Sequence, residues 1–129
     1  MDISGKWDGV FAYPDVPDAG PVTPFVAEIV ERDGRISGTI LEPHEFRSGT
    51  AHASLEGVRA GRTVDFLKTY HAAGAEYEEP VAYAGSLSAD GNIITGHWMM
   101  SDWSGPFEMV RQLEVAIASE AQAAVNSDA

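Results

Sequence analysis

Pro24-Phe25-Val26-Ala27-Glu28-Ile29-Val30-Glu31-Arg32-Asp33-Gly34-Arg35-Ile36-Ser37-Gly38-Thr39-Ile40-Leu41-Glu42 reads as two strands folded about one tight turn. β-Branched residues crowd both arms, and Asp33-Gly34 supplies the backbone freedom that a two-residue hairpin demands. In the second arm a period of two sets Ile36, Gly38 and Ile40 on one face and carries Glu42 onto that face with them. The same punctuation recurs in both directions, with Gly and Pro breaking the chain at intervals of about ten residues. Eight pieces result: Gly5–Tyr13, Pro24–Glu31, Arg35–Glu42, Ala51–Val58, Thr63–Tyr70, Val81–Ser88, Ile93–Met100 and Gly105–Gln112. No helical period interrupts them. Sequential strands with no helix to cover a face predict an all-β fold, an eight-stranded antiparallel up-and-down β-barrel, because closure removes the exposed edges.

The links between strands differ in kind. Asp33-Gly34, Ala60-Gly61 and Asp90-Gly91 are tight-turn chemistry, and in a meander they share one end of the barrel. The links Pro14 to Thr23, Pro43 to Thr50, His71 to Pro80 and Ser101 to Ser104 lie at the other end, and most are long. Such a barrel has a floor and a mouth. Residues 1–112 form the barrel domain, and 113–129 an Ala-rich tail that is either a short helix or disordered.

Composition narrows the function classes. A chain of 129 residues is one domain, and the absence of cysteine removes disulfides, thiolate metal sites and thiol nucleophiles. With 8 basic and 20 acidic residues the net charge is −12, which argues against nucleic acid and against anionic membrane surfaces as partners. The opening Met1-Asp2-Ile3-Ser4 has no signal-peptide character, so a cytoplasmic location is expected. Nothing calls for a cofactor: the glycine turns are hairpin turns rather than phosphate-binding loops.

Gly5-Lys6-Trp7 at the start of the first strand, with Arg111 at the end of the last, resembles the calycin superfamily of lipocalins, fatty-acid-binding proteins and avidins. The resemblance implies that Trp7 sits at the closed end with Arg111 packed across it as a structural floor. It also implies a small-molecule-binding barrel across Gly5 to Gln112, without naming a ligand.

Alternation then assigns the interior. Tyr13, Glu42, Lys68, Tyr70, Tyr83, Trp98 and Phe107 fall in the upper half and are the candidate ligand-binding residues; Phe11, Ile36, Val64, Leu87, Ile94 and Met109 fall in the lower half as core. Apolar walls with a few polar groups suit a small apolar or aromatic molecule held under the loops Pro14–Thr23 and His71–Pro80. An inward Glu and an inward Lys demand pairing or water. If they pair, the ligand is neutral; if Glu42 bonds a tyrosine hydroxyl instead, Lys68 is open to a carboxylate. The alternatives are a cofactor-independent isomerase or cyclase with Glu42 as general base, and a filled barrel that serves as an interaction module. Catalytic residues are otherwise unassigned. No metal site is expected, since only His44, His71 and Glu42 could converge. Outward Val26, Val30, Leu41, Val58, Leu67 and Val110 make a homodimer a further expectation.

Overall fold

The computed structural model describes residues 2–13, 22–43, 49–71 and 79–112. Among the described residues eight strands form: β1 (Gly5–Phe11), β2 (Thr23–Arg32), β3 (Arg35–Pro43), β4 (Thr50–Ala60), β5 (Thr63–Tyr70), β6 (Val81–Leu87), β7 (Ile93–Met100) and β8 (Trp103–Arg111). Each pairs antiparallel with its neighbours in chain order, and β8 returns to β1 to close the barrel. No helix among the described residues is long and apolar enough to cross a membrane. The tail 113–129 and most of the long mouth links lie outside the described residues.

Several boundaries depart from the sequence expectation, three of them with consequences for the links. β1 ends at Phe11, short of Tyr13, although the Ala12 amide still donates to Pro106 at 3.1 Å. β4 continues past Val58 to Ala60, so its hairpin turns on Gly61-Arg62 rather than Ala60-Gly61. β8 begins at Trp103, leaving Ser101-Asp102 as a tight turn with Ser101 at φ 52°. The Asp33-Gly34 hairpin has both central residues at positive φ, 53° and 84°, the mirror-image turn whose twist matches the strands it joins.

Closure requires the sheet to bend sharply, and glycine allows it. A Cβ at Gly38 would sit on the Glu28 carbonyl oxygen, so β3 approaches β2 there as no side chain would permit.

The floor is built from both ends of the chain. Trp7 is fully buried, opposite Arg111 in register, with the Arg111 guanidinium carbon 4.6 Å from its ring centroid. Arg111 also donates to the carbonyls of Ser4 (2.9 Å), Asp2 (3.0 Å) and Gly91 (3.0 Å), and the indole N–H donates to Ile3 at 3.0 Å. These bonds fold residues 2–4 across the opening and bury Ile3 completely, a plug that strand counting did not foresee.

A second clasp joins β2 to β4. Arg59 grips the Glu31 carboxylate through Nε (2.8 Å to Oε1) and Nη2 (2.6 Å to Oε2), and the same carboxylate accepts the Ile3 amide at 2.9 Å. The Arg59 hydrogen bonds hold the Glu31 carboxyl below its ordinary value of 4.5, with the Ile3 amide adding to the effect. A lowered folded-state value means that this stabilisation is complete above the ordinary value and is lost as pH falls through the lowered one. Glu31→Gln is therefore expected to lower stability at neutral pH by about 1–3 kcal/mol. Urea unfolding followed into acid should show that deficit shrinking towards zero; a deficit constant with pH would show that charge is not its source.

Candidate functional site

The interior of the mouth half is an aromatic layer built around an ion pair. Glu42 and Lys68 are 3% and 1% exposed, and Lys68 Nζ lies 3.0 Å from Glu42 Oε2. The other carboxylate oxygen, Oε1, accepts the Tyr70 hydroxyl at 2.6 Å. The two bonding patterns that the sequence left as alternatives thus occur together. Around the ammonium stand the rings of Phe11, Tyr70 and Tyr83, with centroids 4.7, 4.8 and 5.3 Å from Nζ. Aromatic faces and a carboxylate both attract an ammonium group electrostatically.

The strand register explains how these groups meet. Glu42 on β3 is opposite Ala51, Tyr70 on β5 is opposite Ala53, and Lys68 is opposite Leu55. Strand β4 separates the acid from its partners, and its two inward alanines leave the space across which the long side chains join.

The remaining candidates complete the layer. Tyr83 stacks on Phe66 at 4.8 Å and meets Phe107 edge-on at 4.9 Å. Trp98 packs edge-on against Phe11 (6.2 Å) and Tyr13 (5.5 Å), and its indole N–H donates to the Ala12 carbonyl at 2.8 Å. Gly105 makes that possible, since a side chain there would collide with the Trp98 ring and the Ala12 carbonyl. Tyr83, Trp98 and Phe107 are buried, whereas Tyr13 and Tyr70 are half-buried and Tyr13 reaches the exposed Trp103 at 6.3 Å.

Phe11 needs a correction. Expected in the lower core, it pairs in register with Phe107 and Thr23 and belongs to the upper layer. Strands in a barrel are tilted and β1 ends at Phe11, so this residue rather than Tyr13 is the last of the strand and stands higher than its place in the sequence implies. Thr23, which the sequence reading leaves in the link before the second strand, is the first residue of β2. It continues the inward alternation of Phe25, Ala27 and Ile29, and it is 5% exposed.

Among the described residues the histidines do not converge on the pair. His52 and His97 face outward, His71 bonds Ser54 Oγ at 3.0 Å on the exterior, and Glu42 points inward. His44 lies outside the described residues. Among the described residues no group of three His, Cys, Asp or Glu could hold a metal ion.

No protein-family model matches this chain, and no curated protein is significantly similar to it in sequence. The closed eight-stranded barrel is compatible with a calycin-like fold.

Proposed function

We propose that this chain is a calycin-like barrel that binds a small, neutral, largely apolar or aromatic molecule at its mouth. Tyr13, Tyr70, Tyr83, Trp98 and Phe107 would supply the walls, and Glu42 with Lys68 the polar end. The observation that carries the reading is the Glu42–Lys68–Tyr70 network buried inside aromatic rings. A buried ion pair is a poor way to stabilise a core, because desolvation offsets most of the attraction and apolar side chains of equal volume do as well or better. Polar groups placed in an apolar wall are what a recognition site needs. Their charges cancel, which supports a neutral ligand.

Both Glu42 oxygens are engaged, one by Lys68 and one by Tyr70, and this favours binding over proton abstraction by Glu42. A second reading draws on the mutual packing of Tyr83, Trp98 and Phe107: a filled barrel that acts as an interaction module.

Native mass spectrometry of the protein purified from its own cells separates the two. A stoichiometric excess over the denatured mass is expected for the binding reading, and an empty barrel that shows no thermal shift with aromatic or lipid compounds would favour the filled one. With a ligand in hand, Trp98→Ala should weaken binding by about tenfold or more, since an indole contributes much of the contact area. Glu42→Gln, which can still accept from Tyr70, should change affinity modestly. Unchanged affinity in both variants would remove this layer from the site.

A further inference from the structure

Building on the binding reading above, we infer that the Thr23 hydroxyl is a further ligand contact, and that the ligand carries a hydroxyl or carbonyl group on the side facing β2. Three polar residues are buried among the described ones: Thr23, Glu42 and Lys68. Glu42 and Lys68 satisfy each other. Thr23 is 5% exposed, and its hydroxyl has no hydrogen-bond partner among the described residues, although its backbone belongs to the β1–β2 ladder. Its inward direction follows from the alternation of β2, where Thr23, Phe25, Ala27 and Ile29 are all buried and the residues between them exposed.

The hydroxyl also lies in the right layer. Thr23 is opposite Phe11 in register, and the Phe11 ring is the one closest to the Lys68 ammonium, at 4.7 Å. Polar groups therefore line the aromatic layer from neighbouring strands, the Thr23 hydroxyl on β2 next to Glu42 on β3, which reaches across to Lys68 and Tyr70 on β5. Burying a hydroxyl without a partner is unfavourable, and valine would fill the same space without that cost. A threonine there is explained when a bound molecule supplies the missing partner. Because a hydroxyl both donates and accepts, it suits a phenol, an alcohol or a carbonyl, and the cancelled charge of the ion pair keeps the class neutral.

The test uses the full chain with Thr23→Val, which keeps the shape, and Thr23→Ser, which keeps the hydroxyl. The probes are 2-naphthol and naphthalene, titrated by tryptophan fluorescence, with urea unfolding in parallel. Wild type should prefer 2-naphthol. Thr23→Val should reduce that preference by about tenfold while naphthalene binding persists, and Thr23→Ser should retain it. The urea midpoint of Thr23→Val should equal or exceed that of wild type. A preference that survives in Thr23→Val overturns the role of Thr23 and leaves the binding barrel standing. A lowered urea midpoint in Thr23→Val shows that the hydroxyl serves the fold, and also overturns it. If neither probe binds wild type, the small-molecule reading falls first and this inference with it.

Discussion

Lys68→Met is expected to destabilise the barrel by about 3–5 kcal/mol, because it leaves the Glu42 carboxylate in an aromatic layer without its cation. The Tyr70 hydroxyl at 2.6 Å still serves one oxygen, but a neutral donor does not replace an ammonium 3.0 Å from the other. Three ring faces that now surround the lysine lose their charge partner as well. Glu42→Gln in the same chain should recover most of the loss, since the amide carbonyl can accept from Tyr70 and no charge remains buried. Urea unfolding of wild type, both single variants and the double variant measures this as a coupling energy. A double variant that loses as much as the two singles together would show that the pair is not coupled. The double variant has a second use: a stable barrel without the ion pair should lose recognition of a ligand's polar end, which separates what the network does for folding from what it does for binding.

Trp7→Ala should cost a similar amount, about 3–5 kcal/mol, at the opposite end of the molecule. The indole is fully buried and is the surface on which Arg111 lies at 4.6 Å. Arg111 ties the carbonyls of Asp2, Ser4 and Gly91 together, so loss of the ring frees residues 2–4 along with Ile3. Trp7→Phe keeps an aromatic face for the guanidinium and loses the bond to Ile3, so it should recover a large part of the stability. Differential scanning calorimetry of the two variants would decide. Equal, small losses would mean that the floor is not a packing unit, and that the Gly5-Lys6-Trp7 motif does not owe its place to closure.

How much of this could be read beforehand depends on the range of each interaction. Asp33-Gly34 and the alternation on either side of it are local, and they led to the correct hairpin and to the inward direction of Glu42. Lys68 followed by the same rule from Val64 and Phe66. Thr23 and Phe11 were misplaced because each stands at a strand end, where one residue of error shifts the height or omits the position.

By itself the sequence determined the number of strands, their order and the face taken by side chains within them, though not where each strand ends, because a period of two and the demands of tight turns are properties of neighbouring residues. Only the tertiary structure decided which inward groups touch. Glu42 reaches Lys68 and Tyr70 across β4 because the register sets Ala51 and Ala53 between them, and Phe11 reaches Lys68 because closure brings β1 around to face β5. Register and closure are set jointly by eight strands and by close approaches such as that at Gly38, so no local pattern contains them.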